Sequence, residues 1–113
     1  MFSWSTVKRM KEEGPITKNL EIEMKLLKRH LTMLKTIAQE EPIGIINLSE
    51  LMGIPQHKVR YSLRILENEG VIKPTSKGAV ISMDKREFIQ KMEKTLTGLC
   101  EDSEEMLDIV RSV

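Results

Sequence analysis

Aromatic side chains are almost missing from this 113-residue chain, which has only Phe2, Trp4, Tyr61 and Phe88. Its core must therefore be built from Leu, Ile, Val and the eight Met, a set that suits packed helices better than a sandwich of strands. Cysteine is limited to Cys100, which excludes an intramolecular disulfide framework and predicts a reducing, cytoplasmic setting. No apolar run approaches the roughly 20 residues that span a bilayer, and the amino terminus lacks a signal-peptide hydrophobic region. The expectation is a soluble protein with no membrane role. Gly-rich phosphate loops, paired carboxylates and nucleophile–His pairs are also missing, so no enzymatic activity is expected. His30 and His57, with one cysteine and no acidic partner at ligand spacing, predict neither a metal nor a cofactor.

The formal net charge of +1 hides an uneven distribution. Residues 1–41 sum to +2, residues 42–86 to +3 and residues 87–113 to −4. Basic character is concentrated in the middle of the chain, and binding of a polyanion depends on that local field rather than on the total.

Residues 1–18 read as an arm or short helix before the Gly14-Pro15 break. From about Thr17 to Glu40 two apolar stripes run at helical spacing, Leu20-Met24-Leu27-Leu31-Leu34-Ala38 and Ile22-Leu26-Met33-Ile37. Pro42 ends that helix. Ile43–Ile46 reads as a brief strand, and Asn47 with Glu50 as a capping box opening a very short helix, Leu48–Met52. Gly53 stops it, and Pro55 pre-sets φ for a third helix that runs to about Asn68 and ends at Gly70. Val71-Ile72 and Ala79–Ser82, separated by the turn-forming Lys73–Gly78, predict a β-hairpin. Asp84 and Glu87 can cap a last helix bearing Phe88, Met92, Leu96, Leu99, Met106 and Val110, which Gly98 should weaken or kink. Cys100 is expected to pack in a helix interface.

The predicted fold class is mainly α with a small β-hairpin, flanked by long amino- and carboxy-terminal helices. Three helices, the second very short, followed by a hairpin is the order of a winged helix-turn-helix. The stretch LSELMGIPQHKVRYSLRILENEGVIKPTSKGAVIS resembles the DNA-binding segment of prokaryotic, archaeal-looking winged helix-turn-helix transcription regulators. Leu48, Leu51, Met52, Ile54, Val59, Leu63 and Leu66 fall at the family's apolar positions. Ser49 falls at its small-residue position, Gly53 at its turn glycine, and Glu67–Ile72 at the helix end that leads into the wing. The resemblance implies a DNA-binding domain over 19–86, with the helix-turn-helix at 47–69 and the wing at 71–82. It also implies that the third helix enters the major groove of double-stranded DNA.

On a helical wheel Val59, Leu63 and Leu66 define the core side. His57, Arg60, Tyr61 and Arg64 gather opposite, within an arc of roughly 100°. Together with Gln56 at the helix start they are the base-reading candidates, since Arg can pair with guanine edges and Gln with adenine. Lys58, Lys73 and Lys77 are the candidates for phosphate contacts. A charged outer face can also be merely solvated, but Arg60 and Arg64 have no acidic residue four positions on.

The helix over residues 17–40 would be ~36 Å long, more than a small core covers. Its first half and the second half of residues 84–113 therefore carry apolar stripes past the core. A homodimer through the terminal helices would cover them, as would packing of the two helices on each other within one chain. A protein- or RNA-interaction module without DNA readout is the alternative function.

Overall fold

A computed structural model describes residues 14–113 of the chain. The elements follow in the order α1 (Pro15–Glu40), α2 (Ile45–Met52), α3 (Gln56–Asn68), β1 (Ile72–Thr75), β2 (Gly78–Ile81) and α4 (Lys85–Arg111). The protein is mainly helical with a two-stranded antiparallel hairpin. Of the arm expected at 1–18, residues 1–13 lie outside the described residues. Pro15–Lys18 belong to α1, which opens two residues before Thr17 because a proline fits the first helical turn, where no N–H partner is needed.

The core is small and shared by every element except the distal part of α4. Met33 and Ile37 of α1, Leu48 of α2, Val59 and Leu66 of α3, and Val71, Ile72 and Ala79 of the hairpin region are buried together. Both α1 residues come from the second of the two sequence stripes. The first stripe lies further round, and only Leu34 packs partly against the core. Glu21, on the amino-terminal half of α1, is buried and ion-paired with Lys25 at 3.0 Å.

Between α1 and α2 the structure corrects two sequence expectations. Glu41 is extended (φ −58°, ψ 143°), as a residue before proline should be, and the Glu41–Pro42 peptide is cis. The strand expected over 43–46 shrinks to a single bridge, with Ile43 and Ala79 exchanging both backbone hydrogen bonds at 3.1 and 2.8 Å. Gly44 is then the N-cap of α2, so Asn47 lies inside the helix and makes no capping box with Glu50. The pairing of Ile43 with β2 fixes where the helix begins, and it puts Ile45 against the core. Tertiary packing outweighs the local cap.

The turn from α2 to α3 follows the local chemistry closely. Gly53 is left-handed (φ 65°, ψ 33°), the conformation glycine adopts without a Cβ clash. Ser49, chosen by the sequence for small size, also donates its hydroxyl proton to the Ile54 carbonyl across the turn. Pro55 caps α3 through its carbonyl, which accepts from the N–H groups of Lys58 and Val59 at 3.1 and 3.2 Å.

In the hairpin, Ile72 pairs with Ile81 and Thr75 with Gly78, which leaves a loop of Ser76 and Lys77 alone. The loop is therefore tighter than the six residues expected, and Lys73 is a strand residue opposite Val80 rather than a turn residue. Pro74 is tolerated because β1, among the described residues, is an edge strand paired on one side only. Thr75 closes the loop, its hydroxyl donating to the Gly78 carbonyl at 2.7 Å and accepting from Lys77 N–H at 3.2 Å. Gly78 (φ 127°) passes so close to the Ile43 backbone that a Cβ would lie 2.5 Å from the Ile43 carbonyl carbon.

α4 leaves the core after Phe88 and has no fully buried residue. Asp84 occupies its N-cap position but makes no side-chain cap, and Glu87 pairs with Lys91 at 3.2 Å instead of completing a capping box. Gly98 does not interrupt the helix, and Cys100 is exposed rather than packed in an interface of this chain. Among the described residues no helix is long and apolar enough to cross a membrane.

Candidate nucleic-acid interface

α3 is held by its core side and free on the other. Val59, Ser62 and Leu66 are fully buried, whereas Gln56, His57, Lys58, Arg60, Tyr61 and Arg64 are exposed. The four residues that the wheel gathers opposite the core, His57, Arg60, Tyr61 and Arg64, are thus all exposed. Arg60 Nη2 donates to Gln56 Oε1 at 3.4 Å, one turn earlier, a long bond that leaves both groups available to a ligand. Among the described residues none of Lys58, Arg60, Arg64, Lys73 and Lys77 forms an ion pair. Unneutralised cations on a face this open attract polyanions.

Two hollows flank the row of α3 side chains. One, of about 670 Å³, lies between α3 and the hairpin and is lined by Ile43, Arg60, Arg64, Glu67, Pro74 and Lys77 among others. Glu67, which the wheel set apart from the arginines, thus shares this hollow with them and adds a negative charge to it. The other, of about 550 Å³, is lined by Arg29, His57, Lys58, Arg60, Tyr61 and Arg64, and no carboxylate is among them. Lys77 projects at the hairpin tip and Lys73 from the edge strand, both exposed.

Arg29 and Ser62 were missed by the sequence reading. Ser62, fully buried on α3, bonds two side chains of α1: Arg29 Nε donates to its Oγ at 2.9 Å, and His30 Nδ1 lies 2.9 Å from the same oxygen. With Arg29 donating, the Ser62 hydroxyl proton is free to go to a neutral His30 Nδ1. Burial first, and the charge of Arg29 second, hold the His30 pKa below its ordinary 6.5, against a smaller pull from Glu23. Tyr61 completes the junction, its ring centroid 5.9 Å from that of His30 and 5.8 Å from the Arg29 guanidinium carbon. A base-reading candidate from sequence, Tyr61 is thus held from one side by α1 while 42% exposed on the other. One signal was available: Ser62 sits only about 60° from Val59 on the wheel, and a hydroxyl on a buried flank requires a partner.

Among the described residues, no three His, Cys, Asp or Glu side chains are grouped as metal ligands would be. No protein-family model matches the chain, and no curated protein matches it. Among solved structures it is similar to the activation domain of the phage T4 transcription factor MotA. The identity is 20%, over 69% of this chain and 81% of that one, with a TM-score of 0.49. That overlap is too loose to transfer a fold name or a role, so the assignment rests on the α3 surface itself.

Proposed function

We propose that the chain is a winged helix-turn-helix protein that binds double-stranded DNA in the cytoplasm as a homodimeric transcription regulator. In this reading residues 19–86 are the DNA-binding domain, α3 is the recognition helix and the β1–β2 hairpin is the wing. One observation carries the reading. Away from its buried residues α3 holds Gln56, His57, Lys58, Arg60 and Arg64 exposed, and among the described residues none of the three cations forms an ion pair. Thirteen residues at 1.5 Å each make a helix about 20 Å long, a length that lies well in a major groove. Arg60 and Arg64 would read guanine edges, while Lys73 and Lys77 would contact phosphates and supply affinity without sequence preference.

The homodimer is supported by α4. Ile89, Met92, Leu96, Leu99, Ser103, Met106, Val110 and Val113 follow an unbroken 3-4-3-4 spacing, the seam of a two-stranded coiled coil. Among the described residues nothing buries the seam beyond Met92, with Leu99 51% and Val110 69% exposed. Charge favours an antiparallel pair, because residues 85–97 sum to +2 and residues 98–113 to −4. Antiparallel packing sets each basic half against the partner's acidic half.

The test is a fluorescence titration with a pool of random-sequence duplexes at two salt concentrations, followed by selection of the tightest binders. The reading expects binding that weakens steeply with salt and a recurrent motif among the selected duplexes. Absence of duplex binding at low salt would overturn it and favour a protein- or RNA-interaction module.

A further inference from the structure

We infer that the pocket between α1 and α3 is a phosphate site in which Arg29, a residue outside the helix-turn-helix, is the anchoring cation. The inference rests on the DNA-binding reading for its biological ligand, but the site's chemistry stands on its own geometry.

Four groups that are cationic at neutral pH, Arg29, Lys58, Arg60 and Arg64, line this one pocket beside His57 and Tyr61. Among the described residues no carboxylate lines it, and none of the four cations has an ion-pair partner. The hollow on the hairpin side contains Glu67 and is the poorer anion site. Bringing cations together without a counter-charge is unfavourable, and a bound anion relieves it.

Arg29 is the member already oriented. Its Nε is engaged by the buried Ser62 hydroxyl at 2.9 Å, and its guanidinium carbon lies 5.8 Å from the Tyr61 ring centroid. Nε donation leaves both terminal nitrogens, with four N–H bonds, to point elsewhere. A guanidinium fixed in this way loses little side-chain freedom on binding, and its fork matches two oxygens of a phosphate. Lys58 is a long exposed chain that the phosphate must order, while Arg60 and Arg64, whose guanidinium groups the proposed function sends to base edges, add their charge to the local field. Arg29 therefore sets where the phosphate sits, and Ser62 is a positioning residue that acts through it. A DNA backbone phosphate seated there would tie α1, and not only α3, to the duplex.

Arg29→Gln and Arg29→Lys in the full chain test the site, with thermal melting run in parallel. Glutamine can still donate to Ser62 but carries no charge, whereas lysine keeps the charge and loses the fork. Two probes are used, a random-sequence duplex and inorganic phosphate, the latter followed by the Arg29 Nε–H and backbone amide signals of residues 57–61 in nitrogen-15 NMR. We expect inorganic phosphate to shift these signals saturably in the wild type, and to leave the 57–61 amides unshifted in Arg29→Gln. We also expect Arg29→Gln to weaken duplex binding roughly tenfold at low salt, the scale of one charged hydrogen bond. The log–log salt slope should fall by about 0.9. Arg29→Lys should fall between the two in affinity while keeping the slope.

Duplex binding with unchanged affinity and slope in Arg29→Gln would overturn the site and leave the DNA reading standing. A wild type that binds inorganic phosphate through Arg29 but no duplex would keep the site and overturn the DNA reading. Losses in both variants that follow their melting temperatures alone would make Arg29 a structural residue and also overturn the inference.

Discussion

His30 Nδ1 lies 2.9 Å from Ser62 Oγ, an oxygen that already accepts a hydrogen bond from Arg29, and this junction fixes α1 against α3. Burial and the neighbouring guanidinium favour a neutral imidazole, whose Nδ1 can accept the Ser62 hydroxyl proton. A protonated His30 would point a second cationic donor at the same hydroxyl, beside a guanidinium.

The first prediction follows from that constraint. The folded-state pKa of His30 is below 6.5, so near and below that pH the unfolded chain takes up a proton that the native state refuses. Stability from this group is fully present above about pH 6.5 and is lost as pH falls toward the folded value. Chemical denaturation of the wild type and His30→Asn between pH 8 and pH 5 should give a shallower acid loss for the variant. Equal slopes would show that His30 is not a source of acid sensitivity.

Two glycines should respond in opposite directions to alanine. At Gly78 the added Cβ meets the Ile43 backbone at a φ of 127°, so Gly78→Ala should cost more than about 1 kcal/mol. At Gly98 nothing lies within 4 Å of the added Cβ and the backbone is helical, so Gly98→Ala should stabilise by about 0.5–1 kcal/mol. Thermal melts of the two variants beside the wild type decide both. A neutral Gly78→Ala would mean that the Ile43–Ala79 bridge is not formed.

How much of this could be read from the sequence depends on the distance over which each feature is determined. Gly53, Pro55 and Gly70 act within a few residues, and the ends of α2 and α3 lie where they predict. Asn47 failed as a cap because Ile43 is paired with Ala79, 36 positions away, and that pairing begins α2 early. The exposed side of α3 was legible from its periodicity. The Arg29–Ser62 contact was not, since 33 positions separate the two residues and only the crossing of α1 over α3 brings them together. The Lys-Pro-Thr-Ser-Lys-Gly run suits turns throughout and so predicts Lys73 in the turn, whereas pairing extends to Thr75 and Gly78.

The α4 seam predicts a dimer that one charge should separate. Leu99→Lys and Met106→Lys each place an ammonium group in the seam, and both should give the monomer mass by light scattering. Core melting of each should be preserved, because neither side chain touches the core cluster. Orientation can be measured with a spin label at Ser112→Cys in a Cys100→Ser background. Antiparallel pairing puts the two labels roughly 40 Å apart, at opposite ends of a 27-residue helix pair, and parallel pairing puts them side by side. A wild type that stays monomeric at high micromolar concentration would contradict the dimer outright.

The hairpin lysines should supply affinity alone. Replacing Lys73 and Lys77 with alanine is expected to weaken binding to all duplexes alike and to lower the salt slope by about 1 for each phosphate no longer neutralised. A changed base preference would mean that the hairpin reads sequence.

Binding of the Arg60→Ala/Arg64→Ala double variant to the selected duplex tests the central claim, that α3 reads DNA, most directly. Both side chains are exposed, and neither forms an ion pair among the described residues, so each change should alter stability by no more than about 0.5 kcal/mol. Leu66→Ala, in the buried core of the same helix, should instead cost about 2–5 kcal/mol and serves as the folding control. We expect a folded double variant whose affinity for the selected site falls by roughly 1–3 kcal/mol for each base-contacting arginine, with relaxed preference at those positions. A folded double variant that binds the selected duplex with unchanged affinity and preference would contradict that claim.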